Sequence, residues 1–238
     1  MPGLAPLLRK LAASAAPREA CGFVTRTRQL VEVANRERDP NAAFDAGPLH
    51  EMEEREGEAL AIWHTHPEDQ PPSAQDVVQC AATFLPWVIA GPSQLWVIHP
   101  ESRAYAGRDF VYGIEDCWTL VSDWHAQEAG IHMPWFDRPP DGWWRTAGTS
   151  PYVAHAEAFG FGLLPFREVG VENLRRGDVL LMQIAGRRVN HAAVYMGGGT
   201  ILHHLYGHLS RPEMLDGRLQ KATHYVGRHR EMEDSAPC

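Results

Sequence analysis

The sequence predicts two modules in tandem, an α/β unit over residues 1–103 and an α+β unit over residues 104–238. Helical and strand periodicities alternate through the first part, the pattern of a sheet with helices against it. The second part opens on one strongly patterned helix and closes on a run of strands. Between them lies Glu101 to Arg108, a short polar stretch suited to a boundary.

In the first module, Leu4, Leu7, Leu8, Leu11 and Ala12 share a helical face, and that helix ends before Pro17. Ala20 to Thr25 reads as a strand and Gln29 to Asn35 as a second, alternating one. After an Asp/Asn/Pro-rich turn, Pro48 to Gly57 is an acidic helical segment, and Leu60 to His66 is apolar enough to enter the core as a strand. Pro67 to Pro72 holds three prolines in six residues. Proline donates no N–H to a ladder, so this is a loop. Ser73 caps a helix from Ala74 to Leu85, and Pro86 to Ala90 and Gln94 to His99 are further apolar strands.

In the second module, Asp116 is a good N-cap, and Cys117, Leu120, Val121 and Trp124 follow at i, i+3, i+4, i+7. Cys117 thus sits in a first helical turn, where unsatisfied N–H groups and the helix dipole favour the thiolate. A small core residue on an apolar stripe is the other account of the same position. Met133 to Ser150, with Trp135, Trp143, Trp144 and several prolines, reads as an irregular segment packed by aromatics. Pro151 to Phe159 is expected to be helical. Gly177-Asp178 leads into a strand, Val179 to Ile184, and Asn190 to Met196 and Thr200 to Tyr206 flank Gly197, Gly198 and Gly199. Glu231 to Cys238 is polar and expected to fray.

Composition excludes several function classes. No apolar run approaches the ~20 residues of a membrane span. The opening Met-Pro-Gly-Leu-Ala lacks the basic and apolar regions of a secretory signal. A net charge of −8 without a basic cluster argues against nucleic acid. Four cysteines, at 21, 80, 117 and 238, are too scattered for a disulfide framework or a CxxC metal site. Thirteen histidines are many for this length, and the chemistry is to be sought among them.

His64 and His66 project from the same side of a strand, and Asp76 follows at the start of a helix. Two imidazoles and a carboxylate leave a fourth tetrahedral position open, as a catalytic zinc site does. Ser73 to Asp76 also reads as an S-x-x-D capping box. Glu19 in Arg-Glu-Ala-Cys-Gly-Phe, His64-Thr-His66-Pro67, Ser73 and Asp76 together resemble the JAMM (Mov34/MPN) metallopeptidase signature over roughly residues 1–101. The resemblance implies zinc on His64, His66 and Asp76, Glu19 as general base, and Ser73 as an oxyanion stabiliser. One departure is that six residues separate His66 from Ser73, where the pattern has about seven. Ligation is expected to survive this; the fit of Ser73 and of substrate is what it puts in question.

The late hairpin carries the imidazoles that Cys117 needs, and its register decides which. If all three glycines form the loop, Met196 pairs with Thr200, and His191 and His203 share a face; a two-residue loop pairs His191 with His204 instead. Asp116-Cys117, Asn190-His191-Ala-Ala-Val-Tyr and Ile201-Leu-His203-His204 resemble the NlpC/P60 cell-wall peptidases, which are papain-like. Gly177-Asp178-Val-Leu matches that family's GD strand, and Tyr112 stands near its upstream tyrosine. The resemblance implies a Cys117–His191–His203 triad, His203 being chosen over His204 by its spacing from His191. It also implies cleavage of peptidoglycan stem peptides between D-γ-glutamyl and a diamino acid.

A JAMM unit followed by NlpC/P60 resembles the lambda-type phage tail-tip assembly family. This implies a tail assembly hydrolase made in the cytoplasm, then carried at the tail tip or delivered to the host periplasm, with other tail-tip proteins as partners. The alternative is an assembly factor in which one or both sites are vestigial.

Overall fold

A computed structural model describes residues 4–100 and 103–233. The expectations for Glu101, and for the tail from 234 to Cys238, lie outside the described residues. The chain forms two compact units, Met1–Arg103 with Pro134–Asp137, and Ala104–Met133 with Arg138–Cys238. Residues 134–137 thus pack with the first unit, where Trp135 bridges to Leu95 and Asp137 pairs with Arg9. No helix among the described residues is long and apolar enough to cross a membrane.

The first unit runs α1 (Leu4–Ala15), β1 (Cys21–Thr25), β2 (Leu30–Val33), α2 (Leu49–Glu56), β3 (Ala59–Thr65), α3 (Ala74–Thr83), β4 (Trp87–Ala90) and β5 (Leu95–Ile98). Its sheet has the order β2-β1-β3-β4-β5, with β3 and β4 parallel and joined through α3. β3 lies at the centre and is mostly buried, consistent with its nearly continuous apolar sequence. Opposite it, Gly22 pairs with Trp63; a side chain there would strike the Trp63 ring and the Val31 carbonyl. The absence of a Cβ lets Trp63 lie over β1 and donate its Nε1–H to Val31 O at 3.1 Å. On the sheet Ile62, Trp87, Ile89, Trp96 and Ile98 pack with Cys80 of α3, while α1 buries Leu4, Leu8 and Ala12.

The second unit runs α4 (Cys117–Ala129), α5 (Pro151–His155), β6 (Phe161–Pro165), α6 (Phe166–Val169), β7 (Val179–Met182), β8 (His191–Gly197), β9 (Thr200–His203), β10 (Arg211–Met214), α7 (Gly217–Ala222), β11 (Thr223–His229) and α8 (Arg230–Glu233). The sheet order is β10-β9-β8-β7-β11-β6. α4 packs on β8 and β9, while Leu180, Met182, Ala193, Tyr195, Ile201 and Val226 of the sheet form a core with Val169 of α6 and Leu219 of α7. α5 is shorter than its apolar pattern suggests, ending at His155 before a run of turns to Gly160. Six elements were not anticipated from the sequence, β6, α6, β10, α7, β11 and α8, the last of which takes up Glu231–Glu233 where fraying was expected. β10, Arg-Pro-Glu-Met, is an edge strand, where charges and a proline are tolerated.

Along its strands the hairpin takes the first of the two registers that the sequence left open, but its turn is shorter than three glycines. Gly197 pairs with Thr200 around a two-residue turn, Gly198-Gly199, with positive φ at both positions. A register shift between Tyr195 and Gly197 then makes Met196 the extra residue of a bulge. Beyond it Ala193 faces His203, so His191 and His203 lie on the same face.

Candidate active site and metal centre

In the first unit the centre forms where β3 ends and α3 begins. Nε2 of His64 and of His66 lie 3.1 Å apart, and they approach Asp76 Oδ1 and Oδ2 at 3.2 and 3.5 Å respectively. Among the described residues these three offer donor atoms that all lie within 4.8 Å of one another. His66 Nδ1 meets the Gln70 carbonyl at 3.0 Å. A carbonyl only accepts, so Nδ1 carries the proton and the Nε2 lone pair is left for a ligand, the tautomer a metal requires. Phe44 stacks on the His64 ring at 4.4 Å and fixes its plane. The donor set therefore fits a small divalent ion such as zinc.

The short loop still delivers Asp76. Asp69 anchors it by accepting from Ser93 and from the Gln94 amide at 2.9 Å, tying residues 67–72 to the β4–β5 turn. Ser73 is the N-cap of α3, and a reciprocal capping box ties its hydroxyl to the Asp76 amide and the Asp76 carboxylate to its own amide. The cap and the ligand set are thus the same residues, and the bonds that begin the helix also orient the carboxylate. Glu19, His66, Ser73 and Asp76 line one groove of about 140 Å³. Burial pushes the Glu19 carboxyl up to about 7, with Asp76 adding and His66 opposing.

In the second unit, Asp116 accepts the Trp118 and Thr119 amides at 3.0 Å each and begins α4 at Cys117. Arg138 donates to the same carboxylate at 2.8 and 3.1 Å in a fully buried pair. Asn190 closes the preceding loop through both side-chain atoms, to the Ile184 amide at 2.7 Å and its carbonyl at 2.8 Å, and so fixes where His191 enters β8. Cys117 and His191 line one cleft of about 420 Å³ with Phe110, Trp143, Trp144 and Tyr206. His191 Nε2 meets His203 Nδ1 at 3.2 Å. His204 turns elsewhere, lining the cleft edge-on against Phe110. Tyr112 lines the cleft with its hydroxyl donated to Pro139 O at 2.9 Å, whereas the Tyr152 hydroxyl lies 3.3 Å from Cys117 Sγ.

Two expectations need correction. Cys117 is not poised as a thiolate: burial first, and then the Asp116 charge, push its thiol up to about 11, despite the helix start. Burial, with His203 and His204, also holds His191 well below the usual imidazole value. Both shifts run toward a neutral thiol and a neutral imidazole at rest. Second, the Trp118 and Thr119 amides are capped by Asp116, which leaves the Cys117 amide as the uncapped N–H of that first turn. Residues that no spacing rule singled out are Arg138, Tyr152 and Glu213. Glu213 accepts from His203 Nε2 at 3.2 Å.

The family described as prokaryotic homologs of the JAB domain matches residues 3–105, and the NlpC/P60 family matches residues 107–228. The chain is similar to tail tip assembly protein K of Escherichia phage N15, with 32% identity covering 95% of this chain and 94% of that protein. It is also similar to tail tip assembly protein K of Escherichia phage lambda, with 37% identity over 77% of this chain and 88% of that protein. Among solved structures, an NlpC/P60 family protein from Bacillus cereus aligns with a TM-score of 0.33 and 13% identity, covering 92% of this chain and 66% of the other. With a JAB domain followed by an NlpC/P60 domain, and with relatives this similar over most of its length, the chain belongs to the tail tip assembly protein K family.

Proposed function

We propose that this chain is a tail assembly hydrolase whose second unit is a cysteine endopeptidase acting on peptidoglycan stem peptides. The observation that carries the reading is the Cys117 and His191 pair in one cleft, with His203 against the far nitrogen of His191. Cys117 Sγ attacks the scissile carbonyl carbon as its proton passes to His191 Nδ1, the nitrogen that His203 does not use. With both groups neutral at rest, proton transfer and attack are coupled. The oxyanion forms beside the Cys117 amide. His191 then gives the proton to the leaving amine, and water hydrolyses the thioester. The aromatic wall and Arg145 suit an anionic peptide attached to sugar; among the described lining residues there is no carboxylate to repel it.

For the first unit, we propose a zinc-dependent peptidase-like site. His64, His66 and Asp76 would hold the ion, which when bound supplies Lewis acidity toward a peptide or isopeptide carbonyl. Glu19, with its carboxyl raised toward neutrality, exchanges the proton. The Ser73 hydroxyl accepts from Asp76 N at 3.1 Å and keeps its own O–H to donate to the substrate oxygen. Its natural substrates are other tail-tip proteins, in keeping with assembly before the particle meets the host envelope.

Zymography on purified peptidoglycan, with products identified by mass spectrometry, tests the main reading. Full-length protein should release cleaved stem peptides and Cys117→Ala should not. Hydrolysis that survives Cys117→Ala but stops with a chelator would move the wall chemistry to the first unit. Absence of hydrolysis by the intact chain would favour an assembly factor with vestigial sites.

A further inference from the structure

Behind the His191–His203 contact the hydrogen bonds continue to the edge of the sheet. His203 Nε2 meets Glu213 Oε2 at 3.2 Å. Arg211 holds that same oxygen through Nε at 3.1 Å and Nη2 at 2.7 Å, and Arg218 Nη2 holds Oε1 at 3.0 Å. Register explains the convergence. Arg211 lies opposite His203 and Glu213 opposite Ile201, so the pleat puts Arg211, Glu213 and His203 on one face. Glu213 then reaches His203 diagonally.

We infer that Glu213 is a positioning residue that sets the tautomers of His203 and His191 in series, leaving the nitrogen of His191 turned away from His203 as the base. The inference rests on the cysteine-peptidase reading of this cleft. An ionised carboxylate only accepts, so His203 must carry its proton on Nε2. A neutral His203 then has a bare Nδ1, which accepts from His191 Nε2–H. A neutral His191 therefore keeps its lone pair on Nδ1, the nitrogen required to take the proton of Cys117. The two arginines keep Glu213 ionised and also offset its charge. Its part is thus to select the tautomer rather than to supply a counter-charge to imidazolium.

The isosteric Glu213→Gln separates this role from a structural one. Arg211 donates twice to the oxygen that faces His203 and would hold the amide oxygen there, so Glu213→Gln is made on an Arg211→Met parent; Arg218 alone then draws the amide oxygen to the Oε1 position and the NH₂ turns toward His203. His203 must then accept at Nε2 and carry its proton on Nδ1, and His191 is driven to the opposite tautomer with its base nitrogen blocked. On full-length protein with ring-¹⁵N histidine, long-range ¹H–¹⁵N correlation should find His191 and His203 as Nε2–H in the wild type and in Arg211→Met, and as Nδ1–H once Glu213→Gln is added, with assignment by His191→Gln and His203→Gln. On stem peptide, adding Glu213→Gln should lower kcat on the order of 10²–10⁴-fold below the Arg211→Met parent with KM little changed, and Glu213→Asp on that parent should restore part of it. Wild-type rings already in the Nδ1–H form, rings unchanged when Glu213→Gln is added to the parent, or rings that switch without a fall in kcat would each overturn the inference. Should the wild type fail to hydrolyse stem peptide, the peptidase reading falls, while the ring spectra still decide the tautomer relay.

Discussion

Replacing Arg138 with methionine should destabilise the second unit in a way that depends on pH. The Asp116 and Arg138 side chains are each only 1% exposed, and besides Arg138 the carboxylate accepts the Gly113, Trp118 and Thr119 amides. Burial alone would raise the Asp116 carboxyl, but Arg138 and these hydrogen bonds outweigh it and bring it from 3.8 down to about 2. A lowered folded-state value is worth ~2 kcal/mol, present above the unfolded value of ~3.9 and lost as pH falls through about 2. Without Arg138 the sign reverses. The buried carboxylate is uncompensated, which costs ~3–5 kcal/mol unless it takes up a proton. Taking up that proton at pH 7 itself costs ~4 kcal/mol, falling by ~1.4 kcal/mol for each pH unit toward 4. Arg138→Met should therefore lose about 4 kcal/mol at pH 7 and distinctly less at pH 5, and adding Asp116→Asn should recover part of the loss at pH 7. Urea titration with pulse-labelling hydrogen exchange, read on peptides of α4, isolates this unit. A loss below ~1 kcal/mol, or one that is flat between pH 5 and 7, would refute the reasoning.

Elemental analysis of protein purified without chelator should find about one zinc per chain, and none in His64→Ala or Asp76→Ala if these residues are the ligands. Cys117→Ala and His191→Ala should each abolish wall hydrolysis, and the double variant should be no worse than either; additive losses would show that the two do not act as a unit. EDTA should leave that hydrolysis intact, because the proposed metal ligands belong to the other unit. Iodoacetamide labelling of Cys117 should be slow at pH 7 and climb through pH 9, since a thiol near 11 is only ~0.01% ionised at neutrality against ~3% for a free one. A rate plateau with a midpoint below ~8 would instead mean a thiolate–imidazolium pair.

The elements written in local pattern were legible. The helix at Cys117 follows from an acidic cap and four apolar positions on one face, and the two-sheet plan from strands that are continuously apolar where they are central, such as β3 and β7. What was hidden depends on partners distant in sequence. Nothing beside Arg138 marks it as the counter-charge of Asp116, and nothing beside Tyr152 sets its hydroxyl against Cys117. Similarly, the GD pair reads as a strand start, but the work of Asp178 is to hold Arg228 of β11 at 2.8 and 2.7 Å. The upward push on the Cys117 thiol was hidden for a related reason. The helix-start argument counts the dipole of α4, but the carboxylate that caps the same turn sits beside the sulfur and is buried with it. A local rule that favours a thiolate was outweighed by burial and a neighbouring charge.

β10 carries that reasoning furthest. Arg211-Pro212-Glu213-Met214 reads as a loop because an edge strand needs no apolar alternation, and its charges and proline serve to discourage a further strand from adding there. Yet the strand's pairing with β9 sets a carboxylate diagonally across from His203, with one arginine beside it on the strand and another arriving from α7. A residue type favoured at a sheet edge for solubility is thereby available to direct a proton. Because the two uses share one side chain, they predict different tolerances. Edge protection accepts lysine or aspartate at 213 equally, whereas the tautomer relay accepts aspartate and fails with lysine, which offers no acceptor to His203. If Glu213→Lys kept full hydrolytic activity, the carboxylate would be guarding the edge and nothing more.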